Sequence, residues 1–160
     1  MSARRAWRAA AAALLLSVAL PSAARTAQEK REGTVRWVID GDTFQLDGGE
    51  RVRLIGVDSP EHQPWKGNVE PYGAEASAYA KHILTGRRVR LEGDRQGSDR
   101  YGRTLAYVYL EDGSFFNQTL VEEGYAKAKH YAPNGRHRRT LAEAQGRARR
   151  SHRGLWDSES

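Results

Sequence analysis

The 160-residue sequence predicts one domain of the α+β class, in which a small, strongly bent antiparallel sheet or barrel packs against helices. Three observations predict this class. Three strand patterns follow one another early in the chain, the helical patterns come mostly later, and the two kinds of element do not alternate as they do in a parallel sheet. The chain contains no cysteine, so a packed core rather than disulfides must stabilise the fold.

The predicted sheet begins with three strands. "GTVRWVI" alternates in its apolar positions, "TFQL" is a second strand, and "RVRLIGV" is a third that follows the hairpin turn "DGGE". Two more strands, "RVRLEG" and "TLAYVYL", follow the first helix, and "YAKA" is compatible with an edge strand. Five main strands in this order are compatible with a barrel of the oligonucleotide-binding (OB) kind.

Three helices are predicted. "GAEASAYAKHILTG" places its apolar residues at helical spacing and ends at Gly86. "NQTLVEEG" is a shorter helix that ends at Gly124, and residues 136–153 form the terminal helix. The expected architecture is therefore a five-stranded barrel with three helices.

The first residues differ in composition from the rest of the chain. Three arginines precede the apolar run "AAAAALLLSVAL", which is shorter than the roughly 20 residues that a membrane-spanning helix needs. We therefore predict that residues 1–24 are a signal peptide cleaved after Ala24, and that the mature chain is exported to the periplasm or the medium without a stable membrane span. Residues 25–32 are predicted to be a disordered linker, residues 33–157 the domain and residues 158–160 a tail.

Positive charge is concentrated near the end of the chain. The formal net charge of +6 falls to about +3 on cleavage, because the predicted signal peptide carries three arginines and no acid. Residues 136–153 carry seven arginines against the single acid Glu143. This uneven distribution predicts a polyanionic partner, and the alternative interpretation is a solvated helix surface.

Four acidic residues lie where predicted strands end. Asp40 and Asp42 belong to the turn "DGDT" between the first two strands, and Asp58 and Glu61 follow the third strand. Because neighbouring strands bring these ends together, we expect the carboxylates to hold a hard divalent cation, Ca²⁺ or Mg²⁺ rather than zinc. The alternative for "DGDT" alone is a turn that uses Asp and Gly for their backbone tolerance.

Two arginines could complement these acids. Arg53 precedes Asp58 by five residues, which places it on the opposite face of a regular strand unless Gly56 marks a bulge. Arg103 stands at the start of a later strand, from which it could reach the same end of the sheet. Two arginines and a bound cation favour phosphoryl chemistry, because guanidinium groups bind phosphate oxygens bidentately. Structural salt bridges are the alternative for either arginine alone.

Five sequence blocks together resemble one known family. "VIDGDTFQL", "RVRLIGVDSPE", "YGAEASAYAK", "SDRYGRTLAYVYL" and "GLW" occur in this order over almost all of residues 33–157, as in the staphylococcal nuclease (thermonuclease) family. The resemblance implies an OB barrel with three helices. It also implies an enzyme that hydrolyses DNA and RNA phosphodiesters with Ca²⁺ and leaves 3′-phosphate ends. We further predict that the chain is a monomer.

The resemblance also assigns roles to the acidic residues. It implies that the carboxylates of Asp42 and Asp58 and the backbone carbonyl of Ser59 bind Ca²⁺. Glu61 becomes the general base that acts on a water molecule, and Asp40 a nearby outer-shell acid. Ser59 stands where the family usually has threonine, which is expected to matter little if only the carbonyl coordinates.

The basic and aromatic residues receive roles in the same way. Arg53 and Arg103 are implied to hold the attacked phosphate. Residues implied to contact the nucleotide are Arg100, Tyr101, Lys129 and Tyr131. Lys129 stands where the family has a tyrosine, although a lysine beside a tyrosine can still hold a phosphate while the ring stacks on a base.

Two other classes of function remain open from the sequence. One is a nucleic-acid-binding OB-fold module without catalysis, and the other is an exported interaction protein that uses the arginine-rich helix on anionic envelope surfaces. The presence of Arg53, Arg103 and Glu61 favours the enzyme over both, because binding modules of this family have lost such residues.

Overall fold

A closed five-stranded barrel forms the centre of the structure, a computed structural model that describes residues 30–157. The strands in this part of the chain are β1 (Lys30–Asp40), β2 (Thr43–Leu46), β3 (Arg51–Leu54), β4 (Val57–Asp58), β5 (His62–Gln63), β6 (Asn68–Val69), β7 (Arg88–Glu92), β8 (Thr104–Leu110) and β9 (Lys127–Ala128). The barrel order is β1-β2-β3-β8-β7, in which β3 and β8 run parallel and the other neighbouring strands, including β7 and β1, run antiparallel. The predicted α+β class with a five-stranded OB-type barrel is confirmed.

The first strand begins earlier than the sequence predicts. Strand β1 starts at Lys30, and its first residues pair with β7 in the register Lys30 with Glu92 and Glu32 with Arg90. The prediction of a disordered linker is therefore wrong for residues 30–32, because charged residues without apolar alternation gain a strand partner far along the chain. The rest of that linker, the predicted signal peptide and the tail at residues 158–160 lie outside the described residues.

The predicted third strand is broken into two. Strand β3 ends at Leu54, and β4 begins after Gly56, whose φ of +79° lies in the left-handed region that favours glycine. A Cβ at Gly56 would lie 2.5 Å from Cδ1 of Leu141, so the space is closed to a side chain. Strand β4 leaves the barrel and pairs with β9, where Asp58 lies opposite Lys127. The segment "YAKA" thus contains the expected short edge strand.

All three predicted helices are present: α1 (Gly73–Leu84), α2 (Phe116–Glu122) and α3 (Arg138–Arg150). Helix α3 is shorter at both ends than the predicted range 136–153. At its start the backbone N–H groups of Gly135 and Arg136 donate to Asp94, and beyond its end the chain forms a 3₁₀ turn at Gly154–Trp156. Within the described part of the chain, no helix has the length and apolar character needed to cross a membrane.

The apolar core fills the barrel and continues beneath the helices. Its helical contribution includes Ala80 and Leu84 from α1 and Leu120 from α2. The buried side chain of Asn117 joins α2 to the barrel, since its Oδ1 accepts from the N–H of Val108 and its Nδ2 donates to the carbonyl of Ile55, both at 2.9 Å. This contact fixes the backbone just before the bend that leads to β4.

A small hairpin follows Glu61, where the sequence predicts irregular structure. Strands β5 and β6 pair across a 3₁₀ turn at Pro64–Lys66. The carbonyl of Glu61 accepts from the N–H of Glu70 at 2.9 Å, and a Cβ at Gly73 would lie only 2.3 Å from that carbonyl oxygen. The backbone of Glu61 is therefore held between the hairpin and the start of α1.

Candidate active site

Arg53 joins two of the predicted acidic residues. Its Nη2 lies 3.1 Å from Oδ2 of Asp42 and 3.2 Å from Oδ1 of Asp58. Its Nη1 donates to the carbonyls of Leu54 at 2.9 Å and Val57 at 2.8 Å, the two residues that flank the bend. The bend therefore brings Arg53 and Asp58 to the same side, and one guanidinium offsets the repulsion between two carboxylates.

Asp42 lies buried at the centre of this group. Its Oδ2 accepts from the backbone N–H of Ser59 at 2.8 Å, its Oδ1 accepts from Oγ1 of Thr43 at 3.0 Å, and its own N–H donates to Oδ1 of Asp40 at 3.3 Å. Burial raises the pKa of Asp42 to about 7, and the positive charge of Arg53 opposes this effect. A buried carboxylate of this kind is stabilised when a cation approaches it.

The raised pKa predicts how pH affects the stability of the metal-free protein. The pKa of Asp42 is about 7 in the folded protein and 3.8 without these contacts, as in the unfolded chain. The free energy of unfolding is therefore expected to fall as the pH rises from about 4 to about 7, because only the unfolded chain readily loses this proton there. Asn cannot ionise, so the change in the free energy of unfolding caused by Asp42→Asn is expected to be about 1 to 4 kcal/mol more stabilising at pH 8 than at pH 4. Urea unfolding of metal-free protein at both pH values measures this, with exposed Asp47→Asn as control. Equal effects of Asp42→Asn at the two pH values would contradict the prediction.

Glu61 is held by Gln63, a residue to which the sequence analysis assigns no role. Nε2 of Gln63 donates to Oε2 of Glu61 at 2.8 Å and to Oδ2 of Asp40 at 3.0 Å. Partial burial raises the pKa of Glu61, and the nearby charge of Asp42 adds to this rise. One amide thus links Glu61 to the acidic group, and a glutamine in an irregular segment gives no sequence signal for such a contact.

Arg103 is oriented by Asp99, a second residue that was not predicted from the sequence to belong to the site. Nε of Arg103 donates to Oδ2 of Asp99 at 2.7 Å, and its backbone N–H donates to Oδ1 at 3.0 Å. Nη1 of Arg103 lies 3.4 Å from Oγ1 of Thr43, the hydroxyl that donates to Asp42. A chain of contacts therefore connects Arg103 to the acidic group.

A cleft of about 580 Å³ opens beside the two arginines. Arg53 and Arg103 line it, and the exposed rings of Tyr101 and Tyr131 stand among its lining residues. The guanidinium carbon of Arg100 lies 4.7 Å from the ring centroid of Tyr101. Aromatic faces and guanidinium groups in one cleft suit a nucleotide, whose base stacks and whose phosphate carries charge.

Lys129 contacts the acidic group directly. Its Nζ donates to Oδ2 of Asp58 at 2.8 Å and lies 5.3 Å from the ring centroid of Tyr131. The loop that follows is fixed by Asn134, whose Oδ1 accepts from the N–H of Gln96 at 2.7 Å and whose Nδ2 donates to the carbonyl of Gln96 at 2.9 Å. Tyr131 is thus presented to the cleft from an anchored loop.

The donor atoms of this region are compatible with Ca²⁺. Asp42 and Asp58 supply carboxylate oxygens that converge on one guanidinium nitrogen, and the buried Oγ of Ser59 has no hydrogen-bond partner. An oxygen-only donor set with room for water suits a hard cation. Among residues 30–157, no group of three or more His, Asp or Glu side chains is already arranged to hold a metal ion.

The structure brings all the predicted site residues to one end of the barrel. Those joined directly or through Gln63 or Thr43 are Asp40, Asp42, Arg53, Asp58, Ser59, Glu61, Arg103 and Lys129. The residues that line the cleft without contacting Asp40, Asp42, Asp58 or Glu61 are Arg100, Tyr101 and Tyr131. An OB-type barrel with carboxylates, two arginines and an aromatic cleft at one end defines a nucleic-acid-binding barrel equipped for phosphodiester chemistry.

Comparison with known proteins agrees with this class. A sequence model described as staphylococcal nuclease homologue matches residues 51–158. A thermonuclease of Staphylococcus intermedius is 49% identical over 126 residues, which cover 77% of this chain and 74% of the relative. A thermonuclease of Staphylococcus hyicus is 45% identical over 124 residues, covering 76% and 73%. Endonuclease YncB of Bacillus subtilis (strain 168) is 41% identical over 108 residues, covering 63% and 50%.

These matches establish the family. The chain belongs to the staphylococcal nuclease family, and its function is that of a nuclease, a phosphodiester hydrolase. The range matched by the family model includes Arg53, Glu61 and Arg103 but begins after Asp40 and Asp42. The contacts of Asp42 with Arg53 and Ser59, of Asp40 with Gln63 and of Thr43 with Arg103 connect the first hairpin to the rest of the site.

Proposed function

We propose that this chain is a Ca²⁺-dependent nuclease that hydrolyses DNA and RNA phosphodiesters and leaves 3′-phosphate ends. The observation that carries the proposal is the position of Arg53, which touches both Asp42 and Asp58 and also lines the nucleotide cleft. A group that faces carboxylates on one side and a nucleotide-sized cleft on the other is placed to join cation and phosphate.

The acidic residues divide between metal binding and base catalysis in this proposal. Asp42, Asp58 and the carbonyl of Ser59 would hold Ca²⁺, and Oδ1 of Asp40 accepts a hydrogen bond from the backbone N–H of Asp42. When bound, the cation supplies positive charge against the negative charge that grows on the phosphate oxygens. Glu61 accepts a proton from the attacking water, and its raised pKa brings its basicity closer to neutral pH.

The remaining residues bind and orient the polynucleotide. Arg53 and Arg103 hold the oxygens of the attacked phosphate, and Asp99 keeps Arg103 in place. Tyr101 and Tyr131 stack on bases, and the additional basic groups of this surface are Arg100 and Lys129. The oxygen of water forms the new bond to phosphorus, and the bond to the 5′ oxygen breaks. The phosphate remains on the 3′ side, and the 5′ oxygen takes up a proton.

A DNA activity gel with and without Ca²⁺ tests the proposal. Clearing of DNA only with Ca²⁺, together with a 3′-phosphate on the products, is the expected result. A parallel gel with RNA tests the second substrate. DNA binding without clearing would favour the nucleic-acid-binding module, and clearing that is equal with Mg²⁺ or with chelator would reject the Ca²⁺ assignment.

We also propose that the mature protein is an exported monomer that acts in the periplasm or the medium. The signal-peptide pattern in residues 1–24 supports export, and the monomeric state is carried over from the sequence prediction. Cell fractionation followed by the nuclease assay, and light scattering of the purified protein, test these two points. Activity confined to the cytoplasmic fraction, or a mass twice that of one chain, would reject them respectively.

Gln63 provides a prediction within this function. Gln63→Leu removes the donor between Glu61 and Asp40, so the two carboxylates repel and Glu61 loses its position. Because a hydrogen bond to a charged group contributes about 1.5 to 3 kcal/mol, we expect turnover to fall about 10- to 100-fold with a smaller change in KM. Gln118→Leu, which removes an amide donor to Glu122 on α2, is the matched control. Equal turnover of the two variants would show that Gln63 does not position Glu61.

A further inference from the structure

A second cleft lies beside the nucleotide cleft, and its lining includes basic but no acidic side chains. It has a volume of about 230 Å³ and lies between α3 and the loop after β9. Its charged or titratable basic residues are Lys129, His130 and Arg138, and no aspartate or glutamate lines it. It shares Gly56 and Asn134 with the larger cleft, so the two are adjoining. An anion is the chemistry that this lining suits.

The charge of Arg138 is not neutralised by a neighbouring carboxylate. On the same helix, Arg139 pairs with Glu143 at 2.8 Å and Arg147 pairs with Glu122 at 2.7 Å. Among the ion pairs of residues 30–157, Arg138 has no partner. Arg138 is also the first residue of α3, where a cation is unfavourable for helix stability. Its position is therefore not explained by the stability of the helix.

The second cleft lies close to the proposed point of cleavage. Lys129 belongs to its lining, and the Nζ of the same residue is 2.8 Å from Oδ2 of Asp58. One lysine side chain thus extends from the lining of this cleft to Asp58, a proposed Ca²⁺ ligand. Successive phosphates of a nucleic-acid strand are separated by a comparable length, since the axial rise alone is about 3.4 Å per nucleotide.

The wall of the second cleft is held in place before any ligand binds. Oδ2 of Asp94 accepts from the N–H groups of Gly135 at 2.9 Å and Arg136 at 3.0 Å, and from the hydroxyl of Tyr107 at 2.9 Å. Both Gly135 and Tyr107 line the cleft. A preformed wall reduces the conformational entropy that binding would otherwise cost.

We propose that the second cleft binds a phosphate of the polynucleotide chain outside the nucleotide that is cleaved, and that Arg138 provides its main charge. This inference rests on the proposed function and adds a subsite to it. Longer strands then gain affinity that a dinucleotide cannot gain, because only they reach both clefts. The contact is to phosphate and not to a base, so it is independent of sequence.

The test compares substrate lengths in an Arg138→Gln variant. For a single-stranded 12-nucleotide DNA, we expect KM to rise about 3- to 10-fold, with turnover unchanged and with KM for a dinucleotide within twofold of the parent. Arg139→Gln is the matched control, since Arg139 is the next residue of α3, pairs with Glu143 and does not line the cleft. It is expected to leave both KM values within twofold.

A binding measurement provides a readout without cleavage. Fluorescence anisotropy of a labelled 12-nucleotide strand is followed against salt in a Glu61→Gln background, with and without Arg138→Gln. The slope of log affinity against log salt is expected to fall by about 0.7, the value for one lost phosphate contact on a single strand. A slope equal to that of the Arg139 control, or an equal loss for dinucleotide and 12-nucleotide strands, overturns the proposal. Absence of cleavage by the parent protein rejects the proposed function instead, and the anisotropy result still decides the subsite.

Discussion

Glu61→Gln is expected to lower turnover by about 10²- to 10⁴-fold, the range for loss of a general base, while Ca²⁺ binding survives. The amide keeps the size of the side chain but cannot accept a proton from water at neutral pH. Gln63 donates to Oε2 of Glu61 at 2.8 Å, and the carbonyl oxygen of the new amide can accept the same hydrogen bond. The variant is therefore expected to keep the position of the side chain and lose only its basicity.

Two measurements separate the roles that Glu61 could have. Single-turnover cleavage at saturating Ca²⁺ reports the chemical step, and calorimetric titration with Ca²⁺ in the presence of a nucleotide bisphosphate reports metal binding. Glu111→Gln, a change at an exposed residue in a turn, is the control for loss of one acid. Full activity of Glu61→Gln would exclude it as the base, whereas loss of Ca²⁺ binding would make Glu61 a metal ligand.

The barrel and helices could be predicted because their signals are local. Apolar alternation and helical spacing are visible within a few residues, and each main element appears where such a pattern occurs. The bounds that differ depend on distant partners. Residues 30–32 join β1 through pairing with β7, and α3 begins after Arg136 because Asp94 holds the preceding loop. Neither contact leaves a pattern in the local sequence.

The candidate site shows the same division. The acids and arginines could be proposed from strand ends and from the family resemblance, but the side to which Arg53 points depended on the left-handed backbone at Gly56. Gln63 reaches Asp40 across 23 positions, and Lys129 reaches Asp58 across 71. Contacts of this kind become visible only when the barrel has closed.

Arg53→Lys and Arg103→Lys are expected to lose turnover alike and to differ in stability. Each lysine keeps a point charge but loses the planar fork that holds two phosphate oxygens, so a loss of about 10²- to 10³-fold is expected for both. Arg53 also donates to the carbonyls of Leu54 and Val57 and touches two carboxylates. One ammonium cannot reproduce all these contacts, so Arg53→Lys is expected to lower the free energy of unfolding by about 1 to 3 kcal/mol.

Arg103→Lys is expected to lower the free energy of unfolding by less than Arg53→Lys does, because the side chain of Arg103 pairs with the single carboxylate of Asp99, whereas that of Arg53 contacts two carboxylates and two backbone carbonyls. Urea unfolding measures the stability of both variants, and single-turnover cleavage measures the chemical step. Arg88→Lys is the control, because Arg88 forms an exposed ion pair with Glu32 outside the candidate site. Parent-like cleavage by either lysine variant would show that its arginine is structural. Equal stability of the two variants would show instead that the backbone contacts of Arg53 do not fix the bend, which would then be maintained by other contacts, such as the hydrogen bonds from Asn117 to the carbonyl of Ile55 and from the N–H of Lys129 to the carbonyl of Gly56.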